Sequence, residues 1–206
     1  MKAVVFDLGA VVFRWRPDQL LRRVLPQRAH DDASARDWVV RFFQDYGGDW
    51  GEFDRGAVTA DGLVQRMSQR TGLSAGEVQA VVDAVPAELQ PMPDTVALIE
   101  TLHAAGRPLY YLSNMPAPYA AYLTKAHAVM QRFRAGVFSS DVQVIKPDPR
   151  IFELAARRFG QAPQDLLFLD DSLPNVEAAR RLGWGALHFS TAARAAAEMR
   201  AAGVLG

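Results

Sequence analysis

Beyond residue 90 the chain keeps one rhythm to its end, in which helical stretches alternate with apolar runs too short to be helices. The strand-like runs fall at 109–112, 136–138, 166–169 and 186–189. Between and around them, amphipathic or helix-favouring segments cover 94–106, 116–130, 150–159, 176–182 and 192–202. Few architectures accept this pattern. Strands separated by helices pair in parallel through right-handed crossovers, in a sheet covered on both faces. One more strand, the β-branched and aromatic run 2–6, stands alone at the front of the chain.

No strand-like run occurs between about residues 15 and 90. Leu20, Leu21, Val24 and Leu25 recur at helical spacing, as do Trp38, Val39, Phe42 and Phe43. Thr59 is placed to cap a helix reaching about Arg70, and Ser74 with Glu77 three residues on forms a capping box. Gly47 to Gly51 reads as a break, and Pro86 with Pro91-Met92-Pro93 as a stiff connection out of the helical stretch. The expected organisation is therefore an α/β core interrupted, after its first strand, by a helical insertion.

Half of the 206 residues are apolar, enough for a real core. Basic and acidic residues number 23 each, so no broad basic field exists for nucleic acid or an anionic membrane. Without cysteine, disulfides and thiolate metal sites are excluded. The longest apolar runs are far too short to span a bilayer, and the start of the chain lacks a signal peptide's long apolar region. A soluble, cytoplasmic protein is expected, with no nucleic-acid or membrane partner. Nothing in the sequence sets an oligomeric state.

In parallel sheets ligands bind beyond the carboxyl ends of the strands. Strand one ends at Asp7 and the second at Ser113-Asn114. Lys146 lies in the loop after the third, and the fourth ends at Asp170-Asp171, with Asn175 opening the next helix. Taken singly these are ordinary residues: aspartates and Ser-Asn pairs cap helices and make turns, and a lysine before proline is commonly a solvated charge. Together they suit a phosphate ester. A strand-end aspartate can attack phosphorus. Asp7 and Asp171 can share a magnesium ion, which prefers oxygen ligands. Ser113 and the Asn114 amide can bind phosphoryl oxygens, and Lys146 supplies a positive charge. Lysine is also scarce, with only Lys2, Lys125 and Lys146 among the 23 basic residues.

These residues resemble the four motifs of the haloacid dehalogenase superfamily, in family order and over nearly the whole chain. Phe6-Asp7-Leu8-Gly9-Ala10-Val11 is similar to the first motif, Leu112-Ser113-Asn114 to the second, Lys146-Pro147 to the third, and Leu169-Asp170-Asp171-Ser172 with Asn175 to the fourth. The resemblance implies a Rossmann-like, parallel five-stranded sheet of order 3-2-1-4-5 flanked by helices. Residues 1–14 and 91–206 would form this core, and 15–90 an all-helical cap that closes over the site. It further implies a magnesium-dependent phosphatase (a phosphoric monoester hydrolase) for a small phosphorylated metabolite. Asp7 would be the nucleophile, carrying an aspartyl-phosphate, with Lys146 catalytic and phosphate-binding. Asp7, the Gly9 carbonyl and Asp171 would hold Mg2+, with Asp170 and Asn175 in support.

One position departs from the pattern. Family phosphatases usually carry a second aspartate two residues after the nucleophile, as general acid and base, and here that residue is Gly9. The chain resembles a bacterial branch acting on sugar phosphates, glucose 1-phosphate among them, which shares this glycine. A sugar phosphate is therefore the expected substrate, with a cap residue or the substrate's own hydroxyls as possible replacements for the acid. Two other functions remain open: a metal-free 2-haloacid dehalogenase using Asp7, and a catalytically degenerate binding protein. Gly9 and the Asp170-Asp171 pair argue against the first, intact Asp7, Lys146 and Asp171 against the second. Arg14, Trp15, Arg16, Trp50, Phe53 and Arg55 are candidates to stack on a sugar and bind its oxygens, or else cap core and solvated charge. His30, His103, His127 and His188 show no metal spacing.

Overall fold

The structure, a computed structural model, describes residues 2–205. Five strands form one parallel sheet: β1 (Ala3–Phe6), β2 (Leu109–Ser113), β3 (Ala135–Phe138), β4 (Leu166–Asp170) and β5 (Gly185–His188), in the order β3-β2-β1-β4-β5. This is the expected order, with β1 at the centre. Its side chains alternate between two buried clusters, Val4 and Phe6 on one face, Ala3 and Val5 on the other. A strand buried on both faces needs no polar side, which is why these runs read as continuously apolar.

Between β1 and β2 the chain is helical among the described residues: α1 (Pro17–Val24), α2 (Asp32–Phe43), α3 (Gly48–Asp54), α4 (Ala60–Thr71), α5 (Ala75–Glu88) and α6 (Pro93–Ala104). The later helices are α7 (Ala117–Ala126), α8 (Ser139–Val142), α9 (Pro149–Phe159), α10 (Leu173–Arg181) and α11 (Ala192–Ala201). Helices α6, α7 and α11 cover one sheet face, with α9 and α10 on the other. The predicted caps form: Thr59 Oγ1 accepts from Gly62 N, and Ser74 and Glu77 make a reciprocal capping box. No helix is long and apolar enough to cross a membrane among the described residues.

Two local readings are corrected. The break expected at Gly47 to Gly51 lies upstream, at Gln44, Asp45 and Tyr46, all with positive φ, and α3 begins at Gly48. Packing overrides the glycines' weak helix preference: Trp50 and Phe53, three apart, bury beside Phe42, Phe43 and Tyr119. Gly51 is needed for close approach, since a Cβ there would lie 2.5 Å from the Tyr46 carbonyl oxygen. Pro86 sits inside α5 rather than in the connection. A proline cannot donate to the carbonyl four residues back, and that carbonyl, Val82 O, accepts the Tyr119 hydroxyl at 2.9 Å instead.

The strand-free stretch leaves and rejoins the sheet side by side. Arg14 N donates to Gln90 O and Met92 N to Val12 O, both at 2.8 Å, with Phe13 and Pro91 bridged antiparallel. Glu88, only 1% exposed, receives Arg14 Nε at 3.0 Å and Arg23 at 3.2 Å, with Arg16 Nε 3.5 Å away. The connection is thus clasped by charge as well as by backbone.

Candidate active site

The register pairs Phe6 with Leu169 and donates Asp7 N to Leu169 O at 2.8 Å, so Asp7 and Asp170 leave the sheet as neighbours. Lys146 reaches in from the loop after α8. Its Nζ lies 2.9 Å from Asp7 Oδ1 and 2.6 Å from Asp170 Oδ2, and donates to Leu112 O at 3.1 Å. Both Asp170 oxygens are occupied: Oδ1 accepts from Ser172 N and Asn175 Nδ2, Oδ2 from Lys146 and Asn175 Nδ2. Asp171 is exposed, and His188 Nε2 lies 2.8 Å from its carbonyl oxygen.

Electrostatics follow from burial. Desolvation pushes the Asp7 carboxyl up to about 7, with Lys146 opposing and Asp170 and Asp171 adding to the rise. Burial by itself would depress the Lys146 ammonium, but the carboxylates of Asp170 and Asp7 outweigh it and hold it up at about 12. Carboxylate oxygens of Asp7, Asp170 and Asp171 lie within 4.8 Å of one another. With Asp170 engaged by protein donors, Asp7 and Asp171 retain oxygens for a hard divalent cation, and the donor set fits magnesium.

A cavity of about 450 Å³ opens over these groups. Asp7, Gly9, Ser113, Asn114, Lys146, Asp171 and Asn175 form its floor, and Trp15, Tyr46, Trp50, Val85, Leu89 and Tyr119 much of its wall. Every residue singled out at the strand ends therefore converges here, except Asp170, which is fully buried beneath. Asn114, expected to bind phosphoryl oxygens, lines the cavity and also engages the lysine loop. Its Nδ2 donates to Lys146 O at 3.0 Å and its Oδ1 accepts from Lys146 N at 2.8 Å, so the side chain fastens the lysine loop. Ser113, 1% exposed, makes no side-chain hydrogen bond to protein among the described residues.

Position 9 does not require glycine. Its φ is not left-handed and a Cβ there would meet nothing within 4 Å; Ala10, at φ 58, takes the left-handed turn. Of the aromatic and arginine candidates, Trp15 and Trp50 reach the cavity while Phe53 is core. Arg14 and Arg16 turn to Glu88, and Arg55 lies 3.3 Å from Glu52. None of the three arginines lines the cavity, because a nearer carboxylate draws each away.

Two acids escaped the sequence reading. Asp54, 4% exposed, lines the cavity from the end of α3. Burial, reinforced by Asp7 and opposed by Lys146, raises its carboxyl well above the usual range. Its signal was its place four residues after Trp50, on the buried stripe of its helix. Glu88 had none, since its arginines are distant in sequence.

Residues 1–183 match the family model described as a haloacid dehalogenase-like hydrolase. Over 200 residues, 97% of this chain and 95% of the relative, it is 26% identical to the sesquiterpene phosphatase astK of Aspergillus oryzae. It is 36% identical to the phosphoglycolate phosphatase of Escherichia coli, over 44% of this chain and 36% of that protein. Among solved structures it superposes on the HAD family enzyme bt-2542 of Bacteroides thetaiotaomicron with TM-score 0.70 and 18% identity, over 93% and 94% of the chains. A complex of that enzyme with magnesium and inorganic phosphate superposes at TM-score 0.68.

Proposed function

This chain belongs to the haloacid dehalogenase-like hydrolase family, and from that premise we propose a magnesium-dependent phosphatase working through an aspartyl-phosphate on Asp7. The observation that carries the proposal is Lys146 bridging Asp7 and Asp170, with Asp171 close by, at the floor of a cavity. Asp7 would attack phosphorus through its carboxylate, with Ser113, the Asn114 amide and Lys146 holding phosphoryl oxygens. Asp7, the Gly9 carbonyl and Asp171 would hold Mg2+, which supplies charge neutralisation of the transferring phosphoryl group. Asp170 keeps the lysine charged and oriented, and Asn175 holds Asp170. Residues 1–14 and 91–206 would act as the core and 15–90 as the cap whose wall residues select the substrate.

The cavity narrows the substrate. Lys146 is its one cationic lining residue among those described, against Asp7, Asp45, Asp54 and Asp171. With that cation at the phosphate end, a second anion on the substrate would find no partner. This weighs against a phosphorylated carboxylic acid such as the E. coli relative's name suggests. A sugar phosphate, expected from the sequence, would have Asp45, Tyr46 and Asp54 for its hydroxyls. Trp15, Trp50, Val85, Leu89, Met115 and Tyr119 favour instead a neutral alcohol with substantial hydrocarbon surface, in keeping with the Aspergillus relative's name.

The test is a panel of terpenyl, aryl and sugar phosphates, phosphoglycolate and 2-chloropropionate, each with magnesium or chelator. Magnesium-dependent phosphate release, highest for neutral apolar esters, is expected. Halide release surviving chelation, without phosphate release, would replace this reading by the dehalogenase.

A further inference from the structure

We propose that Asp54 is the proton donor to the departing alkoxide, replacing the carboxyl absent at position 9; this rests on the phosphatase reading above. The carboxyl lines the cavity that holds Asp7, is almost inaccessible to solvent, and has no hydrogen-bond donor from the protein among the described residues. A buried carboxylate without a donor is costly, so the neutral acid is the form such a site favours.

Its position is fixed from the core rather than left to the helical stretch. The hydroxyl of Ser139, itself fully buried, donates to Asp54 O and accepts from Met115 N at 2.9 Å, tying the end of α3 to the end of β2. Two residues on, Gly56 at φ 75 packs against the Ser140 backbone, where a Cβ would lie 3.1 Å from its carbonyl oxygen. Asp7 and Lys146 face Asp54 from the floor, Tyr46 and Tyr119 from the wall.

The other titratable lining groups have different employment. Lys146 is shared by two carboxylates, and Tyr119 donates to Val82 O. Tyr46 Oη accepts from Trp15 Nε1 at 2.7 Å, and burial pushes its hydroxyl up to about 12. Asp45 is exposed, and Asp171 faces Asp7.

The chemistry balances in two halves. As the Asp7 oxygen forms its bond to phosphorus, the phosphorus–oxygen bond to the alcohol breaks and the Asp54 proton passes to that oxygen, releasing neutral alcohol. Water then attacks the aspartyl-phosphate, gives its proton to the Asp54 carboxylate, and phosphate leaves with Asp7 restored.

The experiment is a leaving-group series, from 4-nitrophenyl through phenyl to alkyl phosphates at saturating magnesium. It compares the parent protein, Asp54→Asn, and Asp54→Asn combined with Gly9→Asp. General acid catalysis is worth about 10²–10⁴-fold. Asp54→Asn should lose that much on alkyl phosphates and under about tenfold on 4-nitrophenyl phosphate, whose leaving group needs no proton. The alkaline limb of its kcat/KM profile should vanish, and Gly9→Asp should restore alkyl turnover in the double variant. Equal loss across the series, or no loss, would overturn the assignment. If the parent protein releases phosphate from none of the esters, the phosphatase reading falls, and the role of Asp54 with it.

Discussion

Asn114 and Lys146 hold each other through a reciprocal pair of hydrogen bonds, side-chain amide to main-chain peptide, at 3.0 and 2.8 Å. The pair mimics a step of sheet ladder between the end of β2 and a loop that belongs to no strand. Asn114→Ala should leave the loop untethered and lower kcat by about ten- to a hundredfold, with the magnesium requirement unchanged. Asn114→Asp keeps the acceptor for Lys146 N but sets a charge against Lys146 O, and should be no better than alanine. Steady-state kinetics at saturating magnesium decide it. Full activity in Asn114→Ala would mean that the loop is positioned by other contacts.

Asp7→Asn keeps shape and loses the carboxylate proposed to attack phosphorus. Turnover should fall by several orders of magnitude with the fold intact. Acid-quenched parent protein should carry a phosphoryl group on the peptide containing Asp7, and the variant none. A phosphorylated variant would remove Asp7 from the role of nucleophile.

Lys146→Met removes the one cation between two buried carboxylates. Breaking a buried ion pair costs about 3–5 kcal/mol, and that loss should appear at pH 8. At pH 5 the Asp7 carboxyl, raised by burial, can take up a proton, and part of the stability should return. Denaturant unfolding at the two pH values tests this; equal losses at both would show that the ammonium contributes packing rather than charge.

The metal-free protein should be less stable at neutral than at mildly acidic pH. Burial raises the Asp7 carboxyl from 3.8 to about 7 and raises Asp54 in the same direction. A carboxyl held above its unfolded value binds its proton more tightly in the folded state. Its stabilising share is complete below the unfolded value and disappears as pH rises through the folded one. For Asp7 that window runs from about pH 4 to about pH 7. Asp31, Glu77 and Asp148, held low by hydrogen bonds from Ser34, Ser74 and Arg150, act in the opposite sense below it. With magnesium held by Asp7 as proposed, the ion must displace the Asp7 proton, so its stabilising shift in Tm should grow across the same window. Melts with chelator or magnesium read both slopes, and a magnesium shift independent of pH would place the ion away from Asp7.

Glu88→Gln takes the carboxylate from three arginines. Hydrogen bonds to a charged group contribute about 1.5–3 kcal/mol each, reduced here because the arginines are 38–52% exposed on their side chains. A loss of about 2 kcal/mol is expected, with hydrogen exchange rising first in α1 and around residues 88–92. Unchanged exchange there would mean that the backbone pairs hold the connection alone.

Much of the core was legible because the properties that build it are periodic. Two-sided burial makes β1 and β4 unmistakable, and Asp7 and Asp170-Asp171 then follow from where those strands stop. Capping residues such as Ser74 and Glu77 announce themselves because the hydrogen bonds they make are local. The remainder depends on distant contacts. Arg14 and Arg16 stand beside the first motif in sequence yet turn to Glu88, more than seventy residues on. Asp54 looks like a helix-end acid until the cavity behind it is known. Pro86 reads as part of a stiff connection because only the fold supplies Tyr119 to satisfy the carbonyl it abandons.

The paired backbone at residues 12–14 and 90–92 has a consequence for how such a protein can change. Outgoing and returning chain occupy one hydrogen-bonded doorway, so the sheet would be indifferent to how many residues lie beyond it, and lengthening a closed loop costs little entropy. A different helical bundle could be grafted at that doorway without rethreading a strand, provided its inner face matched the apolar surface it must cover. Lineages of such chains can then diverge in the graft while their strand ends stay still.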